Sequence, residues 1–337
     1  YKILFLKLQF SIIIPVYNRP EELEELLQSI LLQQENYHVE VVVVEDGSLR
    51  KCKDVVYKYV EKLNVKYLLK ENTGPGDSRN FGMTQASGNY LIILDSDCLL
   101  PENYLSIVFK FLTSTYAEAF GGPDKAHPSF NSRQKAINYS MTSFLTTGGL
   151  RGNKNTAGNF QLRSFNMGLS KKAFQLTGGF AKQRIGEDID LNFRLKEKNL
   201  STVYIGDAFV YHKRRNSWLS FFKQIRKFGA ARPILNQMHP GSARFTYWFP
   251  LLFILGLVCS LVLYTLNFPW LLLIYLIYFL AIAVDSLMKN RQINVAFFSV
   301  YAVLVQFTAY GSGFLSSVVR LYLLRKPPRE SFPGMFE

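Results

Sequence analysis

Two aspartates separated by one serine close an apolar run: Tyr90, Leu91, Ile92, Ile93 and Leu94 lead into Asp95, Ser96 and Asp97. On an extended chain, residues two apart share a side, so both carboxylates can face one ligand. Hard oxygen donors suit Mg²⁺ or Mn²⁺, which can bridge a nucleotide diphosphate. The same spacing also fits two exposed turn acids ahead of Pro101. A second acidic group, Glu187, Asp188 and Asp190, opens an amphipathic segment, where carboxylates complement a helix N-terminus. An ionised carboxylate within hydrogen-bond reach of a hydroxyl can also take its proton. His212 ends the stretch 209–212, either as a packed or surface residue or as an imidazole ligand acceptable to Mn²⁺. The glycines at 74, 76 and 82 form no dinucleotide fingerprint: the order is GxGxxR, and it follows the third strand of the pattern rather than the first.

These residues need a scaffold. The run 90–94, apolar throughout, reads as a strand buried on both faces, as parallel sheets produce. Strands are expected at 10–17, 39–48 and 65–72, with intervening helices from Pro20 (Asn18 as its cap), around 51–63 and around 76–87. This alternation implies an α/β fold: a mostly parallel sheet with helices on both faces, binding ligands at its strand ends. Residues 121–165 read as a long substrate-side loop with a helix near 132–145, and 201–215 as one closing strand. The N-terminal stretch reads as leading into the first strand rather than as a signal peptide, because Lys7 interrupts it and no small-residue cleavage site follows.

Of the 337 residues, 48% are hydrophobic, and the apolar runs gather after Phe245. The formal charge is +14. No acid lies between Asp207 and Asp285, while Lys213, Arg214, Arg215, Lys223, Arg226, Lys227 and Arg232 precede the first long apolar run. Basic side chains beside a membrane segment gain about 1 kcal/mol each from anionic lipid. That placement points to a membrane surface and away from nucleic acid. Residues 217–235 read as an interfacial amphipathic helix. Membrane spans are expected at Tyr247–Leu266 and Phe268–Val284. The third apolar segment, 293–319, is expected to be re-entrant or tilted, because three full crossings would put the basic tail (Arg320, Arg325, Lys326, Arg329) on the side that positive charge avoids. Three widely spaced cysteines fit a reducing compartment.

The segments 11–18, "EDGS" at 45–48, 74–82, "LDSD" at 94–97 and "GEDIDL" at 186–191 together resemble glycosyltransferase family 2, inverting enzymes of the GT-A fold, over about residues 10–230. The resemblance implies a nucleotide-sugar donor and a divalent cation, Mn²⁺ or Mg²⁺. By position it implies that Pro15, Tyr17 and Asp46 hold the base, that Arg79 lies near the donor, that Asp95 contacts ribose or sugar, and that Asp97 and His212 hold the metal. It makes Asp188 the catalytic base, with Glu187 beside the substrate. Glu45 stands where the family has a first aspartate, so only Asp46 is carried over. "QIRKF" at 224–228 is similar to a QxxRW signature, but Lys227 and Phe228 replace Arg and Trp; Gln224 and Arg226 are kept as candidates for the acceptor or diphosphate. Gly178 and Gly179 are expected to shape an acceptor loop.

The expectation is therefore a catalytic domain over 1–215, an interfacial helix over 216–245, a transmembrane region over 246–324 and a basic tail over 325–337. The enzyme would sit in the inner membrane with its active site in the cytoplasm. It would move a sugar, with a UDP-sugar favoured, to a hydroxyl of a lipid-linked or cell-surface glycan. The alternatives are a polyprenyl-phosphate hexosyltransferase and a catalytically silent membrane scaffold or nucleotide-sugar sensor.

Overall fold

The computed structural model describes residues 8–33, 39–148 and 160–336. They form two compact units, one of residues up to 125 with 160–212, the other of 126–148 with 213–336. Part of the expected substrate-side loop, 149–159, lies outside the described residues, as do 1–7.

The first unit begins with β1 (Phe10–Val16), α1 (Pro20–Leu31), β2 (Glu40–Asp46), α2 (Lys53–Tyr57), β3 (Asn64–Lys70), α3 (Pro75–Gln85) and β4 (Tyr90–Leu94). β5 (Cys98–Leu99), α4 (Tyr104–Ser114), β6 (Ala119–Gly121) and β7 (Asp124–Lys125) follow. The chain then contributes α5 (Ser132–Thr142) and α6 (Phe144–Thr147) to the second unit. It returns with β8 (Asn166–Ser170), α7 (Lys171–Thr177), α8 (Glu187–Glu197), β9 (Thr202–Tyr204) and β10 (Val210–His212).

Seven strands form one sheet in the order β3-β2-β1-β4-β8-β6-β9, and β5-β10-β7 form a small second sheet. The first four strands of the order are parallel; β8 runs antiparallel to both β4 and β6. All five residues of β4 are buried, in keeping with helices on both faces. Ile12, Ile14, Val43 and Ile92 pack with Leu23 and Leu27 of α1 on one side. Ile13, Val42, Val44 and Ile93 pack with Met83 of α3 and Leu191 of α8 on the other. Fully burying each such side chain stabilises by about 1.5–3 kcal/mol. Gly82 lets α3 press onto the sheet: a Cβ there would lie 2.7 Å from Ile13 and 2.9 Å from Val44.

Sheet order also creates the crevice. The chain runs outward from β1 to β2 and β3, then crosses back to β4 on the other side of β1. The loops after β1 and β4 therefore diverge at a topological switch point, where open α/β sheets bind ligands.

Four local expectations are corrected. Asn18 does not cap α1; it sits at φ 57° and its Oδ1 accepts from the amides of Leu49 and Arg50. The segment 51–63 is helical only over Lys53–Tyr57, then tightens into i→i+3 turns among β-branched valines that favour a helix poorly. The closing strand is two short ones in different sheets, because the chain turns at Ile205–Ala208, and the Asn166 amide holds that turn by donating to the Ala208 carbonyl at 2.8 Å. Between Asp95 and Asp97 the chain is not extended: the Cys98 amide donates back to the Asp95 carbonyl, 3.1 Å, making a turn.

The second unit contains α9 (Trp218–Met238), α10 (Phe249–Thr265), α11 (Trp270–Asn290) and α12 (Ile293–Val318) besides α5 and α6. Phe221 and Ile225 of α9 pack with Ile137 and Met141 of α5 and Ala309 of α12. Three stretches, Phe245–Thr265, Trp270–Asn290 and Ile293–Leu323, are long and apolar enough to cross a membrane. α12 is one unbroken helix through Tyr310–Gly313, so the break that a re-entrant segment needs is not there. Its glycines serve packing: a Cβ on Gly311 would touch the Leu251 backbone at 3.0 Å, and Gly313 lies against the Arg226 carbonyl. α11 continues past the expected end at Val284 because Asp285 is satisfied, accepting from Tyr139, 2.6 Å, and Lys289, 2.8 Å.

Candidate functional site

Every element that ends at the crevice delivers a polar residue. β1 ends in Pro15 and Val16, both buried, then Tyr17, half exposed, and Arg19. β2 ends in Glu45 and Asp46, which point to different tasks. Glu45 is 1% exposed and accepts from the Cys52 amide, 2.6 Å, the Tyr67 hydroxyl, 2.9 Å, and Ser48. It belongs to the framework, and together with burial it pushes the Cys52 thiol up to about 12. Asp46 accepts from the amides of Thr73 and Gly74 and from Lys70 Nζ, each at 3.0 Å, so it organises the loop 70–74.

Arg79, on α3, is the hub. Its guanidinium is almost wholly buried and donates to Asp95, 2.7 Å, and to Glu187, 2.9 Å, over the face of Phe180. One planar fork thus joins the end of β4 to the start of α8. Burial works against the Arg79 charge, but Asp95 and Glu187 outweigh it and hold the group above its ordinary value. Glu187 goes the other way: burial, aided by neighbouring Asp188, outweighs Arg79 and pushes its carboxyl up to about 7.

Asp97, in the turn after β4, has different partners from Asp95. One oxygen faces His212 Nε2 at 3.1 Å, and the other accepts from Arg19. Burial alone would raise this carboxyl, but the charges of His212 and Arg19 prevail and hold it well below the usual carboxylate range. His212 is carried by β10, whose pairing with β5 sets it opposite Cys98, and its ring stacks on Phe165 at 4.8 Å. Asp97, Cys98 and His212 put one ligand atom each within 4.8 Å of one another. A carboxylate oxygen and an imidazole nitrogen fit a divalent ion that completes its shell with phosphate oxygens.

Asp188, one residue beyond Glu187, accepts from the Ile189 amide, 2.8 Å, and lies 3.6 Å from Arg163. Asp190 turns away: it pairs with Arg194, which also donates to the carbonyls of Thr177 and Gly179 and so ties α8 to the end of α7. Gly178 and Gly179 both have positive φ there.

Pro15, Tyr17, Asp46, Arg79, Asp95, Asp97, Glu187, Asp188 and His212 are all in the first unit, and ion pairs or hydrogen bonds link Arg79 to Asp95 and Glu187, and Asp97 to His212. Gln224 and Arg226 are on α9 of the second unit. Sequence reasoning missed Arg19, Arg163 and Phe165. Arg19 had a signal, a cation just past the first strand; the other two lie in a stretch without periodicity.

Residues 11–176 match the family model described as Glycosyl transferase family 2. Residues 11–176 thus form a glycosyltransferase family 2 domain. The chain is 38% identical over 103 residues to an "Uncharacterized glycosyltransferase" of Rickettsia bellii, covering 30% of this chain and 15% of that protein. It is 34% identical over 114 residues to the poly(ribitol-phosphate) beta-N-acetylglucosaminyltransferase TarS of Staphylococcus aureus, covering 33% of this chain and 20% of TarS. The match thus spans a fifth or less of these relatives' own length. The fold is similar to the mannosyltransferase PcManGT from Pyrobaculum calidifontis, solved with GDP-Man and Mn²⁺: TM-score 0.58, 16% identity, 92% of this chain and 87% of that one. The family 2 domain accordingly has the GT-A fold.

Proposed function

We propose that the chain is an inverting glycosyltransferase that moves a sugar from a nucleotide donor, with UDP-sugars favoured, to a hydroxyl of a lipid-linked or cell-surface glycan. The observation that carries this reading is the Arg79 fork, which holds Asp95 and Glu187, and so the neighbouring Asp188, in one site at the strand ends. Pro15 and Tyr17 wall the base, and Asp46 shapes the base pocket through the loop 70–74 that it organises. Asp95 meets the ribose or sugar. Asp188 takes the proton of the acceptor hydroxyl as its oxygen attacks the anomeric carbon and the nucleoside diphosphate departs from the opposite face. Arg163 and the Ile189 amide hold the Asp188 carboxylate in place, and such a base contributes about 10² to 10⁴ in rate.

Asp97 and His212 would hold a divalent cation, Mn²⁺ or Mg²⁺, which when bound neutralises charge on the leaving diphosphate. The Mn²⁺ in the PcManGT complex supports this reading. The three apolar helices would anchor the enzyme in the inner membrane with the site in the cytoplasm. Exposed Lys223, Arg226 and Lys227 on α9 suit anionic headgroups, with Gln224 and Arg226 available to the acceptor. The name of TarS supports a polymer as acceptor. A phosphate acceptor such as a polyprenyl phosphate is the second reading, favoured by Arg163 beside Asp188.

The test uses the full chain in detergent with Mn²⁺ and a panel of UDP- and GDP-sugars, scoring nucleoside diphosphate release with hydroxyl and polyprenyl-phosphate acceptors. Transfer to hydroxyls with inverted anomeric configuration is expected. Transfer only to phosphate selects the second reading, and no transfer or hydrolysis of any donor makes the chain a silent scaffold or sensor.

A further inference from the structure

Arg19 stands out because it neutralises the very carboxylate proposed as the metal ligand. Both oxygens of Asp97 are engaged, one by His212 and one by Arg19. Glu21 and Glu22 are closer in sequence, opening the same helix, yet Arg19 reaches across to Asp97. An arginine stays charged at any working pH, so it leaves a carboxylate only when another cation takes its place there or another anion takes the arginine.

Its anchoring suits such an exchange. The backbone around it is pinned: the Asn18 amide donates to Ser48 at 2.8 Å, Asn18 Oδ1 accepts two amides, and the Arg19 carbonyl accepts the Leu23 amide at 3.1 Å. The side chain is 30% exposed, against 4% for Arg79, which two carboxylates hold. Arg19 can therefore change rotamer without moving the loop, whereas Arg79 cannot. Its planar fork fits a diphosphate as well as a carboxylate.

We propose that Arg19 is the resident counter-cation of Asp97 and transfers to the donor's diphosphate when a divalent ion and donor bind, so that metal and nucleotide bind cooperatively. The proposal rests on reading Asp97 as a metal ligand. Without nucleotide, a metal ion must displace Arg19 with nothing to receive it. With nucleotide, the displaced guanidinium gains a new anion, and that difference is the coupling.

The experiment titrates the full chain in detergent with Mn²⁺, following free Mn²⁺ by electron paramagnetic resonance, alone and with saturating UDP or GDP. A charge-assisted hydrogen bond of this kind is worth on the order of a tenfold shift in affinity. Arg19→Ala is therefore expected to bind Mn²⁺ alone about tenfold more tightly than the unaltered protein, and to lose most of the enhancement by nucleotide. Arg19→Lys, which keeps the stem and charge but not the fork, is expected to move the same way by less, and it serves if the alanine variant does not fold. Unchanged or weaker Mn²⁺ binding by the variants, with nucleotide enhancement intact, overturns the role of Arg19 alone. If Asp97→Asn leaves Mn²⁺ affinity unaltered, the metal-ligand reading falls, and this proposal with it.

Discussion

Replacing Arg79 by methionine removes a cation shared by Asp95 and Glu187 while keeping most of the side-chain volume. The two carboxylates are not equally dependent on it: the Glu187 side chain is 8% exposed, that of Asp95 28%. Asp95 can recover hydration, so most of the penalty falls on Glu187. Removing one partner of a buried ion pair costs about 3–5 kcal/mol. In a unit of this size that corresponds to a fall in melting temperature of roughly 6–20 °C. Adding Glu187→Gln should return a large part of the loss, because the stranded charge is gone; pairs in direct contact couple by about 0.5–3 kcal/mol. The assay is thermal unfolding of the full chain and the three variants in one detergent, followed by tryptophan fluorescence and circular dichroism. Strict additivity of the two substitutions, or an Arg79→Met protein within about 1 kcal/mol of the unaltered one, would refute the view that this fork holds the strand end to the helix start.

Further outcomes follow from the same geometry. Glu187 is held at about 7 when folded against an ordinary 4.5, so the folded state binds its proton more tightly. Stability is then full below the unfolded value and declines as pH rises from about 4.5 to 7, by about 3 kcal/mol; melting curves across that range should flatten in Glu187→Gln. Asp188→Asn should leave Mn²⁺ and nucleotide binding intact while transfer drops by about 10² to 10⁴, as read by single-turnover kinetics; undiminished turnover would remove Asp188 as the base. Gly82→Ala forces a methyl against Ile13 and Val44, and is expected to cost about 1–3 kcal/mol in thermal unfolding.

What the sequence made legible was whatever depends on short-range pattern. The buried strand Tyr90–Leu94, the order of helices and strands through α3, and the acids at three chain positions all follow from periodicity and composition. The parallel sheet followed because its strands, covered on both faces, read as unbroken apolar runs. Long-range pairings stayed hidden. Nothing local tells that Arg79 reaches a glutamate 108 residues away, or that Arg19 reaches Asp97. Alternation misled at Asp95–Asp97, because side-chain spacing on an extended chain says nothing once the backbone turns. It misled again at 201–215, where a turn held by the Asn166 side chain splits what the pattern joined. Asp285 looked like the end of a membrane helix because its hydroxyl partner, Tyr139, is 146 residues away in sequence.

The excursion of α5 and α6 out of the first unit bears on how this protein can be handled. Their partners Phe221, Ile225, Ala309 and Asp285 are supplied by sequence nearly a hundred or more residues later. A protein cut before Phe245 to make it water-soluble would keep α5 but lose α10, α11 and α12, baring Tyr139 and leaving Ile137 and Met141 without Ala309. Such a truncated version should aggregate or cling to detergent although its sheet is complete. Purification and assay therefore call for the whole chain in a lipid-like environment, and a catalytic domain cannot be excised at one point in the sequence.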